Sequence, residues 1–212
     1  MATSIETALL IAAGCCDPAL LSEQVEASEY LIAADGGLNT LLDLGIEPHV
    51  LVGDLDSAVG HESLENTVIV RSTSQGETDL VKALLWAIDA GITSLDVIGV
   101  ESGENDHILG TYAALAEVCD QSDSDVRIRL QLSDSIVHLL RSETSWSARL
   151  PLDGRISIFS LGASARVSIS GVRWPLMQES LSFSTRGLHN ESCGGVVEVE
   201  VHAGRAVLFV HR

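Results

Sequence analysis

Two carboxylates one residue apart, Asp54 and Asp56, follow the apolar run Val50-Leu51-Val52 on a turn flanked by Gly53 and Ser57. A strand ending in D-x-D delivers hard oxygen ligands beyond the carboxyl end of a strand, where open parallel sheets carry their chemistry. Such oxygens suit Mg²⁺ held together with substrate phosphates; the plainer role for two acids in a surface turn is an Asx turn. Company favours the metal. Asp35 follows the apolar segment 30–34 and precedes Gly36-Gly37, Asp79 follows Thr78 at the start of a periodic helix, and Asp106 with His107 opens another. Four connections thus carry acids to one expected sheet edge, and crowded like charges repel unless a cation offsets them. Taken singly, each has a structural alternative: Glu77 and Asp79 put negative charge where a helix N-terminus favours it, and His107 serves capping or packing as readily as base chemistry. Two glycines after a strand permit close approach of backbone to a ligand. Neither a P-loop nor G-x-G-x-x-G is present, which argues against the two commonest nucleotide folds.

The elements that must position these residues alternate. Strands are expected at 7–13, 30–34, 50–52, 67–71 and 94–100, and helices at 18–28, 38–44, 80–90 and 108–118, punctuated by Pro18, Gly45, Pro48 and Gly91. Strand alternating with helix at this spacing predicts a doubly wound parallel α/β sheet. After a polar break at 121–125 the texture changes to short alternating stretches at 126–132, 136–140, 155–159, 165–169, 196–201 and 206–210, which predict an all-β second domain, a small sandwich. The expected division is 1–134 and 135–212.

With 212 residues, 46% of them hydrophobic, the chain can bury a full core. Thirty acidic residues against twelve basic ones give a net charge of -18, and Lys82 is the only lysine. Nucleic acid is not an expected partner, because no basic stripe is present to neutralise its phosphates. An acidic surface can attract a cationic small substrate or simply be solvated. No apolar run approaches the roughly 18 residues of a membrane helix, and the start lacks the pattern of a signal peptide. The expectation is a cytoplasmic protein with no membrane partner. Cys15, Cys16, Cys119 and Cys193 make neither a disulfide framework nor a zinc site and read as buried or free thiols.

The ordered set Ala33-Ala34-Asp35-Gly36-Gly37-Leu38-Asn39, Gly53-Asp54-Leu55-Asp56-Ser57, Thr78-Asp79-Leu80 and Asp106-His107 resembles the thiamine pyrophosphokinase family. Ser170-Gly171-Val172-Arg173-Trp174-Pro175-Leu176 is similar to that family's Trp-bearing segment, and Gly187-Leu188-His189-Asn190-Glu191 to its Gly-x-Ser-Asn-Glu segment. The resemblance implies an N-terminal α/β domain that binds ATP and Mg²⁺, and a C-terminal β-sandwich that helps hold thiamine at a homodimer interface. It further implies transfer of a pyrophosphoryl group from ATP to the thiamine hydroxyl, releasing AMP. Carried over, Asp54, Asp56 and Asp79 are metal ligands, and Asp106 lies beside the reacting phosphates or the substrate hydroxyl. Asp35, Gly36, Gly37, Asn39, Thr78 and His107 belong to the nucleotide side; Trp174, His189 and Asn190 belong to the thiamine side. A plain core role is the alternative for Trp174.

The chain also departs from the family pattern. Gln75-Gly76-Glu77 stands where a Lys-Asp pair is usual, Ser102-Gly103-Glu104-Asn105 where Gly-Gly-Arg is usual, and His189 where a Ser is usual. Two positive charges expected near polyphosphate are therefore absent, leaving a second metal ion or arginines such as Arg71 to replace them. The alternatives are a pyrophosphokinase for another alcohol, such as a hydroxymethyl pterin, and a non-catalytic ligand-binding member of the fold.

Overall fold

Strands read as unbroken apolar runs have to be covered on both faces, and this requirement shapes the first half of the chain. The computed structural model describes residues 5–74, 76–101 and 104–212 and divides the chain into two units, Met1–Ser133 and Asp134–Arg212. The first unit holds six strands, β1 (Thr7–Ile11), β2 (Leu31–Ala34), β3 (Val50–Gly53), β4 (Val68–Arg71), β5 (Ser94–Ile98) and β6 (Arg127–Gln131). Four helices join them, α1 (Pro18–Glu26), α2 (Gly37–Asp43), α3 (Asp79–Asp89) and α4 (Asn105–Gln121). Every neighbouring pair is parallel, in the order β6-β5-β1-β2-β3-β4. β2 and β3 are buried at every residue, whereas edge strand β4 is largely exposed.

Strand order reverses at β1, which pairs with β2 on one side and β5 on the other. That makes the carboxyl ends of β1 and β5 the switch point where open α/β sheets leave a crevice. Gly14 and Gly99 meet there: the Gly14 N–H donates to the Gly99 carbonyl at 2.7 Å, and a Cβ on Gly14 would come within 2.5 Å of that oxygen.

The helix starts are set locally. Asp17 caps α1 by accepting from the Leu20 N–H at 2.9 Å, with Pro18 in the first turn where its missing N–H costs nothing. Thr78 caps α3 through the Val81 N–H at 3.4 Å. α4 begins at Asn105, earlier than its apolar periodicity indicates, so Asp106 and His107 lie inside its first turn.

One expectation is corrected. The stretch 126–132, grouped by its texture with the all-β half, instead extends the parallel sheet as β6 beside β5. Its alternation has a different cause from a solvated face. Ile128 and Leu130 are buried, while Arg129 Nε and Gln131 Nε2 both donate to Asp96 Oδ1 on β5 at 2.8 Å.

The second unit comprises β7 (Ser135–Arg141), β8 (Thr144–Ser160), β9 (Ser164–Ser170), β10 (Leu176–Ser182), β11 (Asn190–Ala203) and β12 (Arg205–His211), all paired antiparallel. The order is β10-β9-β11-β8-β12-β7. One core takes Leu140 from β7 at one edge and Leu176 and Leu181 from β10 at the other, together with Ile156, Val167, Val199 and Leu208 between them. The sheet therefore folds over on itself. Among the described residues this unit holds only a 3₁₀ turn, Thr185–Gly187, and no α-helix.

Gly37 is needed for packing. A Cβ there would sit 2.1 Å from the Ile11 carbonyl oxygen, so the first turn of α2 rests directly on the β1 backbone. Gly37→Ala should lower unfolding free energy by about 2 to 3 kcal/mol, read as a fall in urea midpoint at unchanged m-value. An unshifted midpoint would show that this contact carries no weight.

Candidate active site

Three carboxylates from two strand ends meet closely: one oxygen each of Asp35, Asp54 and Asp56 lies within 4.8 Å of the others. Asp35 follows β2 directly and is buried at 4% exposure. Its Oδ2 accepts the Ser57 N–H at 3.2 Å, while its Oδ1 is buried with no hydrogen-bond partner among the described residues. An orphaned carboxylate oxygen is costly, and a cation is the partner that best suits it. Burial raises the proton affinity of Asp35 above the usual carboxylate range, and Asp79 adds to this; the Ser57 N–H pulls the other way, and Asp56 and Asp54 raise it further.

The backbone that brings these acids together is strained. Asp35 at φ 41° and buried Leu55 at φ 70° both occupy the left-handed region that L-residues avoid. Gly53 at φ 158° is required, since a Cβ there would lie 2.8 Å from the Asp35 Cβ. Cross-links hold the turn: the Asp35 N–H donates to the Val52 carbonyl at 2.8 Å, and the Asp56 N–H to Asp54 Oδ1 at 3.3 Å. Asn39, read from sequence as nucleotide-facing, braces the same loop. Its Nδ2 donates to the Ser57 carbonyl at 2.8 Å and its Oδ1 accepts the Val59 N–H at 2.9 Å. Gly36 precedes α2 and is buried, with Ala13 and Ser57 closest to where a side chain would project.

Asp79 stands at the start of α3. It is not a member of the close triad, yet it acts electrostatically on Asp35. Its Oδ1 is 2.9 Å from the ammonium of Lys82, which is 7% exposed. Sequence reasoning noted Lys82 as the sole lysine but gave it no place in the site. The usable signal was its position three residues after Asp79, which sets both on one helix face. Thr78 serves as the cap of α3.

Asp106 does not join these acids. It groups with Glu104 and His107, all exposed, at the start of α4. His107 Nε2 lies 3.4 Å from Glu104, and Asp106 Oδ1 accepts the His107 N–H at 3.1 Å. The departures from the family pattern at Gln75, Ser102 and Gly103 lie outside the described residues. Arg71 is exposed at the end of β4, in register with Gly53.

In the second unit Trp174 is half exposed, with the Arg173 guanidinium 5.5 Å from its ring centre. Asn190 is buried and works as a clamp, its Oδ1 accepting the Trp174 N–H at 3.1 Å and its Nδ2 donating to the Trp174 carbonyl at 2.7 Å. Its polar atoms are thus engaged with the Trp174 backbone. His189 is exposed, adopts φ 56°, and donates its N–H to Ser157 Oγ at 3.0 Å. The four cysteines are free thiols.

Fold and site together define a doubly wound α/β protein with a carboxylate cluster off its strand ends, followed by an antiparallel β unit. Residues 21–129, just over half of the chain, match the family model for the thiamin pyrophosphokinase catalytic domain. The chain belongs to the thiamin pyrophosphokinase family. It is 34% identical over 89 residues to the thiamine pyrophosphokinase of Bacillus subtilis (strain 168), a segment covering 40% of this chain and 42% of that protein. In fold it is similar to the crystal structure of the Bacillus subtilis thiamine pyrophosphokinase, with a TM-score of 0.79 and 22% identity, covering 97% of this chain and 99% of that one. The Geobacillus thermodenitrificans structure gives 0.76 at 18% identity, covering 97% of each chain. The yeast structure gives 0.73 at 16%, covering 99% of this chain and 87% of the other.

The sign of Asp35's contribution follows from its raised proton affinity. The folded state holds the proton more tightly than the unfolded chain, so stability falls as pH rises from the ordinary aspartate value through the folded one, and stays lower above it. Without divalent cation, Asp35→Asn should be more stable than wild type near neutral pH, and the gain should vanish on acidification to roughly pH 4. Urea unfolding in EDTA across that range checks it; a gain that does not depend on pH would contradict the electrostatic account.

Proposed function

We propose that this chain is an ATP-dependent pyrophosphokinase acting on thiamine, working as a homodimer in the cytoplasm. Among the described residues, no helix is long and apolar enough to cross a membrane. Family membership sets the class, and the buried Asp35 oxygen without a partner beside Asp54 and Asp56 is the observation that carries the reading. In the reaction the acceptor hydroxyl oxygen bonds to the β phosphorus of ATP. The bond from that phosphorus to the α–β bridging oxygen breaks, AMP leaves, and the hydroxyl proton is released.

Transfer of a phosphorus centre asks mainly for positioning and charge neutralisation. Asp54 and Asp56, backed by Asp35 and with Asp79 alongside, are the residues that would hold Mg²⁺. Bound there, the ion would neutralise phosphate charge and orient the transferred group. Ser57, through its N–H to Asp35 and its Oγ–H to Asp56 at 2.9 Å, keeps both carboxylates aimed. Lys82 fixes one oxygen of Asp79 and offsets part of the crowding. We assign Asp106 to the acceptor hydroxyl, at the exposed start of α4. Trp174 is the aromatic that stacks on the cationic acceptor ring, held by Asn190 in a half-exposed position.

Incubation with ATP, Mg²⁺ and a panel of thiamine and hydroxymethyl pterin alcohols, read by mass spectrometry, tests the acceptor. AMP with thiamine diphosphate is expected; a pterin diphosphate would reassign it, and binding without AMP would remove the catalytic claim. Asp54→Asn keeps volume and removes charge, so turnover should fall by about a thousandfold or more at an unchanged melting temperature. Turnover near wild type would end the metal-ligand assignment.

Trp174→Ala should raise KM for thiamine roughly tenfold, the loss of about 1 to 2 kcal/mol of ring stacking, and leave KM for ATP unchanged. A joint rise with a fall in melting temperature would make Trp174 a packing residue.

A further inference from the structure

The second unit holds a set of side chains with chemical potential of its own. Ser168 stands on β9, between β11 on one side and β10 on the other. Each neighbour is irregular at that point. In β11 the pairing with β9 shifts between Val201 and Ala203, so His202 is the extra residue. In β10 it shifts between Leu176 and Glu179, which leaves Met177 and Gln178 opposite Ser168. An extra residue bends its strand and re-aims its side chain, and bulges are over-represented beside active sites. Here both aim at one oxygen. His202 Nε2 lies 2.7 Å from Ser168 Oγ, and the Gln178 N–H donates to the same Oγ at 3.0 Å. Gln178 adopts φ 50°, a left-handed conformation that a non-glycine residue holds at a cost.

The proton positions follow from the partners. Glu200, directly across from Ser168 in register, brings its Oε1 to 3.4 Å from His202 Nδ1. A carboxylate there favours the tautomer with hydrogen on Nδ1, leaving Nε2 as an acceptor. Ser168 Oγ already receives the Gln178 N–H, so its own proton points to Nε2. His202 is largely covered, with 16% of its side chain exposed, while Ser168 is half-buried and within reach of solvent. Nucleophile, base and orienting acid in hydrogen-bonded sequence are the geometric signature of an activated serine, whatever the fold or residue order.

We propose that Ser168, His202 and Glu200 form a second reactive centre, which takes the acyl group of a small uncharged activated ester. The exposed carboxylates of Glu198 and Glu200 disfavour anionic substrates, and Met177, 88% exposed in the same bulge as Gln178, offers apolar surface to an acyl chain. In the first step Ser168 Oγ bonds to the carbonyl carbon and its proton passes to His202 Nε2. The bond from that carbon to the leaving oxygen breaks, and the alcohol departs with the proton. Water then attacks the same carbon and gives a proton to His202, which returns it to Ser168 Oγ as the carboxylic acid is released. Charge developing on the carbonyl oxygen meets the Gln178 amide, one donor where a full oxyanion hole supplies two, so acylation is slow and is the step to measure. This centre shares no residue with the acid cluster, and either reading can fail alone.

The full chain would be treated with a fluorophosphonate probe and, separately, with p-nitrophenyl acetate, and the modified residue located by peptide mass spectrometry. A phosphonyl adduct on Ser168, formed with loss of fluoride, is expected. His202→Gln should slow its formation by about tenfold or more, and Glu200→Gln severalfold. Should His202→Gln fold poorly, Glu200→Gln carries the comparison, since that side chain is 59% exposed and its melting temperature should match wild type. The same serine should take up an acetyl group from p-nitrophenyl acetate, and Ser168→Ala should lose both adducts. No adduct on Ser168, or acylation confined to the exposed thiols of Cys15 and Cys193, would overturn the proposal. Equal labelling rates in wild type and both variants would overturn it too, reducing the three side chains to a polar staple across the strands.

Discussion

Crowding of like charge at one sheet edge is the constraint on which the arrangement depends. Asp35 is almost fully buried, Asp54 and Asp56 lie within 4.8 Å of it, and Asp79 acts on it from the start of α3. Against these stands Lys82, held to Asp79. Left-handed conformations at non-glycine residues such as Asp35 and Leu55 cost about 1 to 3 kcal/mol each and persist only where the surroundings over-determine them. Here the over-determination is visible: Asn39 braces Ser57 and Val59, Ser57 braces Asp35 and Asp56, and Gly53 removes the Cβ that would forbid the approach. On the proposed reading, the strain that keeps these carboxylates close and partly unsatisfied serves a ligand that supplies positive charge.

Much of this was legible in the sequence because each acid follows an apolar run whose strand character is set by burial on both faces. What sequence could not supply was distance. Asp106 shares the strand-end logic of the other acids but sits in an exposed group with Glu104 and His107, since the early start of α4 draws it into a helical turn. Gly37, read as a glycine near a ligand, has a packing role that sequence could not show: the Ile11 carbonyl lies where its Cβ would project. β6 was read with the wrong partner strands because Arg129 and Gln131, turned onto Asp96, mimic the alternation of a half-solvated strand.

In the second unit the errors have one physical source. Only the second half of β8 and of β11 was expected, because Pro151, Gly154, Gly194 and Gly195 are turn signals in isolation. In the folded chain Leu150 pairs with Gly195 and Leu152 with Cys193, so the breakers of one strand face those of the other across a shifted register, and both strands run on. β10 was missed because its apolar residues do not alternate: Leu176 and Leu181 reach the core from positions five apart, and Met177 is exposed. Asn190 was legible as important and not as a clamp; that role needs the Trp174 backbone to arrive beside it, which follows from the bend at Gly171, whose missing Cβ admits the Val196 carbonyl.

The charge balance then bears on how an anionic donor reaches so acidic a chain. Arg129 is tied to Asp96, Arg173 to Asp153 and Glu191, and Arg186 to Glu179. Lys82 is buried against Asp79. Guanidinium groups committed to carboxylates are poor clamps for polyphosphate, and a net charge of -18 repels a free nucleotide at long range. Arg71, exposed and in register with Gly53, is a cation set beside the D-x-D turn, too little to neutralise a polyphosphate alone. On the proposed reading the compensation therefore has to travel with the substrate: the donor enters as its Mg²⁺ complex, and the carboxylates that repel the naked anion are the ones that capture the complex. On the same reading the acidic field would draw a cationic acceptor inward, so that one charge distribution would serve both substrates.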